Sequence, residues 1–195
     1  MTLKQTPSQT VGPYFAYGLC PEQYNFDLKS LFTPSLVDHE AAGEHITIVG
    51  QVFDADGAAI GDAMLEFLQV DAQGNYPASR ADVTKSGFRG FARVGTGTDP
   101  QKRFVVQTVK PGATGEDEAP HINVIVLMRG MLLHTFTRLY FDDEAAANER
   151  DAVLASVPAE RRKTLIAKRE THAGSTVYRF DIHMQGENET AFFDL

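Results

Sequence analysis

From His45 onward the chain alternates. Ile46, Ile48, Gly50 and Val52 fall on one side and Thr47, Val49 and Gln51 on the other, the period of a strand with one face more buried. Asp54, Ala55, Asp56 and Gly57 close that strand as a turn, with Asp side chains bonding nearby backbone and Gly supplying positive φ. Residues 64–70 form the next strand, and 71–75 another Gly-containing turn. Shorter apolar runs follow at 87–94, 104–109 and 122–128. Residues 131–141 read as one long strand after a tight Arg129-Gly130 bend, and 178–184 as the last strand. Short strands at this spacing, punctuated by Gly and Asp, predict an all-β fold, an antiparallel β-sandwich.

Two stretches break the pattern. Asp142, Asp143 and Glu144 open a short helical insertion, their charges at its positive end, which runs to about Ser156, where Pro158 ends it or starts a new turn. Residues 1–44 lack periodicity and carry Pro7, Pro13, Pro21 and Pro34. They predict an extended N-terminal arm, with a short helix near 25–31, that wraps a neighbour or its own domain. The organisation expected is an arm (1–44) on one sandwich domain (45–195). The tail residues Phe192, Phe193 and Leu195 favour burial, at home or against another chain.

Composition narrows the partners. A net charge of −8 over 195 residues argues against nucleic acid and anionic membranes, which need a positive field. No apolar run has transmembrane length, and the first ten residues are polar. The lone Cys20 forms no intrachain disulfide, which suits a reducing cytoplasm.

The chemistry-bearing residues lie in three places. One is the block 46–76, with Gly50, Val52, Asp54, Gly57, Glu66, Gln69, Asp71, Gly74 and Tyr76 in order. The second is Lys110-Pro111-Gly112-Ala113-Thr114, and the third is Ala119-Pro120-His121-Ile122-Asn123. Read alone, Tyr76 is an aromatic cap on a hairpin and His121 a hydrogen-bonded core histidine. Together the three segments resemble the intradiol ring-cleavage dioxygenases, which hold a non-haem ferric ion with two tyrosines and two histidines. Tyr76 and His121 stand at two of those positions. Thr114 (or Ala113) stands where the second Tyr belongs, and Asn123 replaces the second His. Leu68 departs from the Trp usual in the family. Ferric iron favours anionic oxygen with imidazole, so one Tyr and one His should hold it poorly.

A narrower resemblance rests on the run from Thr6 to Tyr14, on Arg138-Leu139-Tyr140-Phe141-Asp142-Asp143-Glu144, on 165–169 and on 178–182. These are similar to the alpha chains of the heteromeric, protocatechuate-cleaving branch of the family. That resemblance implies a homologous, iron-binding beta subunit as partner, and a higher oligomer of such heterodimers. It implies Fe(3+) held by the beta subunit, no metal ligand here, and no catalytic residue in this chain alone. Protocatechuate and O2 would be the substrates, and 3-carboxy-cis,cis-muconate the product. Gly12, Pro13, Tyr14 and Arg129 would help bind the substrate in a shared cleft. The physics suits those roles: a Gly-Pro edge is rigid, Tyr14 offers a hydroxyl and a ring face, and Arg129 matches a carboxylate. Two other readings stay open. One is a homomeric dioxygenase with an iron site rebuilt from Tyr17, Tyr24 or His134. The other is a non-catalytic, transthyretin-like binding module.

Overall fold

The alternation that begins at His45 becomes β1 (His45–Phe53), with Ile46, Ile48, Gly50 and Val52 buried. The computed structural model describes residues 4, 10, 12, 14–172 and 174–194, and only the backbone of Tyr14 and His172. β2 (Met64–Leu68), β3 (Phe91–Gly95), β4 (Arg103–Val109), β5 (His121–Leu127) and β6 (Thr135–Phe141) follow. β7 (Ile166–His172), β8 (Ser175–Arg179) and β9 (Ile182–His183) complete the strands.

The strands form two sheets. One runs β3-β2-β5-β6 and the other β8-β1-β4, with β9 beside β1. β7 joins them: Ile166 and Ala167 pair with β6, and residues 168–172 pair with β8. Both inner faces feed one core, which holds Leu65, Val124 and Leu139 from one sheet and Ile48, Val106 and Tyr178 from the other. Phe67 and Phe104 meet across it with ring centroids 5.6 Å apart. The expected all-β sandwich is the fold.

The pairing is not wholly antiparallel. β1–β8, β1–β9 and β6–β7 run parallel. A parallel pair needs a crossover, and residues 142–165 supply one between β6 and β7. The close approach of β1 to the segment after β8 also requires a glycine. A Cβ at Gly50 would lie 1.7 Å from the carbonyl oxygen of Phe180.

The helical pieces correct several expectations. No helix forms over 25–31. Instead α1 (Tyr14–Leu19) comes earlier, followed by a 3-10 turn, Glu22–Tyr24, which Asn25 ends at φ +60°. α2 (Arg80–Ser86) was not expected; Ser79 caps it by accepting from the Asp82 N–H, and Gly87 ends it at φ +68°. The acidic run opens only a 3-10 turn, Asp142–Glu144, leading into α3 (Ala145–Asn148). The chain breaks there and restarts as α4 (Ala152–Ser156), because Asp151 turns its carboxylate onto the Leu154 N–H as an N-cap. Of the two expectations at Pro158, an end or a new turn, the second holds: Pro158 heads α5 (Ala159–Arg162). The long strand expected from 131 begins only at Thr135, and Leu132 and Leu133 are left exposed on the loop before it.

Tyr178 anchors the crossover to the second sheet. Its ring is buried, and its hydroxyl donates to Asp143 at 2.9 Å. Lys110 reaches the same place, 3.0 Å from Asp143 and 2.6 Å from Glu144. Among the described residues no helix is long and apolar enough to cross a membrane.

Candidate functional site

The two turns expected to carry ligand positions pack against each other. Asp71 Oδ1 accepts from the N–H groups of Gln73 and Asn75, and Gly74 takes φ +84°. The Gly112 N–H donates to the Asp71 carbonyl at 2.9 Å. A Cβ at Gly74 would lie 2.2 Å from the Ala113 carbonyl oxygen, so the loop ending at Thr114 lies directly on the turn leading to Tyr76. Thr114 hydrogen-bonds Glu118, and the Tyr76 ring is half exposed.

The other two positions share the outer face of β5. Ile122, Val124 and Val126 point into the core, so His121 and Asn123 point away from it. The register on β6 sets Tyr140 opposite His121 and Arg138 opposite Asn123. Arg138 Nε donates to Asn123 Oδ1 at 3.2 Å, and its Nη1 lies 3.4 Å from the Tyr140 hydroxyl. That hydroxyl donates to Asp151 at 3.0 Å. Asp151, fully buried, also accepts from the N–H groups of Ala119 at 2.8 Å and Leu154 at 2.7 Å. His121 is buried beside the Tyr140 ring, with Nδ1 2.9 Å from the Ala119 carbonyl. Burial pushes its pKa down, and the field of Arg138 adds to this. Burial pushes the Tyr140 hydroxyl up.

This donor set does not fit a ferric ion. A guanidinium is bonded to Asn123, one of the four positions, where its positive charge opposes a cation. Asn123 and Thr114 offer only neutral oxygen, and Tyr76 makes no hydrogen bond to His121 among the described residues. No group of three or more His, Cys, Asp or Glu able to hold a metal occurs among the described residues.

The residues expected to touch substrate lie at the other end of β5. His121 opens the strand and Leu127 ends it, six residues on, a span of about 20 Å. Arg129 follows, its Nε 2.6 Å from Asp62 Oδ2. The Gly130 N–H donates to Thr10 Oγ1 at 2.8 Å, which brings the arm to this bend. Ala16 and Cys20 pack on Met64, with Leu127 against the same cluster. Gln23 fastens the arm by donating to the Gly95 carbonyl at 2.7 Å and accepting from its N–H at 2.8 Å. Gly12 is exposed, Pro13 lies outside the described residues, and of Tyr14 only the place at the start of α1 is described.

The spare ligand types do not gather. Tyr17 and Tyr24 pack edge to face, with centroids 4.7 Å apart, in the arm. His134 packs on Phe136 beyond the bend. Burial raises the Tyr24 pKa, the wrong direction for a tyrosinate ligand.

Comparison with known proteins gives the family. The family model described as "Dioxygenase" matches residues 12–186. The chain belongs to the intradiol dioxygenase family. It is 70% identical to a protocatechuate 3,4-dioxygenase alpha chain of Burkholderia cepacia, over 100% of this chain and 99% of that one. It is 44% identical to the alpha chain of that name from Pseudomonas putida, over 98% and 97%. The dioxygenase domain of a carbohydrate-binding fusion from Streptomyces sp. SirexAA-E shares the fold, with TM-score 0.63 and 24% identity over 94% of this chain and 99% of that one. Intradiol dioxygenases depend on iron.

Arg138, Tyr140 and Asp151 were not singled out from the sequence as site residues. Alternation on β6 and the pairing of its ends with β5 were the signals available, but the pairing is a tertiary fact.

Proposed function

We propose that this chain is the alpha subunit of a protocatechuate 3,4-dioxygenase. Paired with a homologous beta subunit that holds Fe(3+), it would cleave protocatechuate with O2 to 3-carboxy-cis,cis-muconate. The iron chemistry belongs to the partner. This chain's part is to bind and orient the acid, with the arm (1–44) reaching a cleft that the sandwich (45–195) helps to shape. Gly12 and Pro13 present a rigid backbone edge, Tyr14 a hydroxyl and a ring, and Arg129 a cation for the carboxylate. Heterodimers of this kind would assemble further, in the reducing cytoplasm that suits a lone cysteine.

The observation that carries this reading is the separation along β5. The arm and Arg129 converge at one end, about 20 Å from the degenerate ligand positions at the other. Residues so placed do not serve this chain's own ligand positions, which favours a cleft shared with another subunit. The exposed Leu132 and Leu133, on the loop after Arg129, suit an interface there.

The test is to purify the chain alone and with the beta subunit, measuring iron and the visible absorption of ferric tyrosinate. A colourless, iron-free chain that yields an iron-loaded, active complex supports the proposal. Iron and colour in the chain alone would replace it with a homomeric enzyme.

A further inference from the structure

We propose that the outer face of the first sheet carries a second ligand site, one that binds a small aromatic carboxylate without turning it over. Its lining includes neither Arg129 nor any residue of 1–44, and it does not depend on the shared-cleft reading.

The site is a cavity of about 330 Å³ at Arg138, within the range of small-molecule pockets. Leu68, Ile125, Phe136, Val153 and Phe193 wall it with apolar surface. The walls come from five separate parts of the chain. Val153 arrives on α4, and Phe193 is held by its N–H donating to the Phe136 carbonyl at 2.8 Å. The polar groups gather at one end, where Arg138 and Asn123 line the cavity.

Arg138 is half-buried and has no carboxylate within ion-pair distance among the described residues. Its Nε serves Asn123 and its Nη1 serves Tyr140, while its Nη2 has no hydrogen-bond partner there. Elsewhere the chain pairs its partly buried cations closely, as with Arg93 and Glu66 at 2.6 Å. A guanidinium on an apolar pocket without a counter-ion favours an anion whose body is apolar. Asn123 gives its carbonyl to Arg138, which leaves its amide N–H groups as further donors. A carboxylate on a flat ring satisfies both ends of the cavity. Because the neighbouring positions suit a metal poorly, with Arg138 bonded to Asn123, the ring would be held and left intact.

The test is calorimetric titration of benzoate into the purified protein, in its native assembly, with the visible spectrum followed in parallel. The expected result is a class of sites equal in number to this chain that leaves the spectrum unchanged. Arg138→Gln should weaken it at least tenfold, and benzamide should bind at least tenfold more weakly than benzoate. Should Arg138→Gln disturb folding, Ile125→Phe fills the cavity from the outward side of β5 and should abolish the same sites. Binding only where the iron spectrum responds would overturn the proposal. So would benzoate affinity unchanged in either variant, or equal to that of benzamide.

Discussion

Arg129 Nε lies 2.6 Å from Asp62 Oδ2, joining the bend after β5 to the loop before β2. The Asp62 side chain is 18% exposed and that of Arg129 67%, so the carboxylate is the fixed partner and the guanidinium the presented one. The contact is an ion pair without hydrogen-bond geometry, so the exposed guanidinium keeps its N–H groups for a second anion. Arg129→Ala, in the assembled enzyme, is expected to lower kcat/KM for protocatechuate by roughly ten- to hundredfold. That is the weight of a charge-assisted hydrogen bond of about 1.5–3 kcal/mol. Iron content should not change, and unaltered kinetics would remove Arg129 from the cleft. Asp62→Asn should act in the same direction but less, through a raised KM.

The arm should come loose when its clasp is cut. Gln23 bonds both backbone groups of Gly95 on the edge strand β3. Gln23→Ala is expected to cost about 1 kcal/mol, or roughly 2–4 °C in Tm, because water can replace part of what is lost. Deleting residues 1–14 should impair assembly or activity of the heteromer. A truncated complex with full activity would sink the arm's role.

Asp151 should be the most costly of the outer-face polar residues to remove. Its buried carboxylate satisfies the Tyr140 hydroxyl and the N–H groups of Ala119 and Leu154. Asp151→Ala orphans all three, and a loss of about 3 kcal/mol is expected, roughly 6–12 °C in Tm. A melting curve that moves by less than 2 °C would mean that water fills the gap.

His121 gives acid sensitivity a defined sign. Its pKa is pushed below the ordinary value by burial. The unfolded chain therefore takes up this proton first as pH falls. The stability tied to neutral His121 is whole above about pH 6.5 and is lost as pH drops through its lower folded value. Urea midpoints at pH 7.5 and pH 5 should fall further for the wild-type chain than for His121→Gln. Equal falls would assign the acid loss to other groups.

Restoring ligand types alone should not restore iron binding. Asn123→His with Thr114→Tyr leaves the Arg138 guanidinium beside the rebuilt position. Adding Arg138→Gln is expected to let the triple variant take up ferric ion weakly, with visible tyrosinate absorption that the double variant lacks. Equal metal content in the two would show that Arg138 is not the obstacle.

Much of the sandwich was legible because strand alternation is local. The faces of β1 and β5 follow from residues two apart, and the turns at Asp54 and Asp71 from side chains that bond their own backbone. α2 was missed although Ser79, Asp82 and Gly87 mark its ends, because its seven residues lie between strands with little apolar rhythm. β7 was missed for a different reason. It divides its pairing between two sheets, so no single face of it is buried throughout.

The sequence by itself determined the alternating strands and the family, and it led to the expectation that two ligand types are replaced, at Thr114 (or Ala113) and Asn123, because each is a matter of residue identity or near spacing. Tertiary structure alone decided that Arg138 would meet Asn123, that Asp151 would reach Tyr140 from the crossover, and that the arm would close on the Arg129 bend. Those contacts depend on strand register and on where the chain returns after long connections. Packing of the whole core sets both, and no short stretch of sequence encodes either.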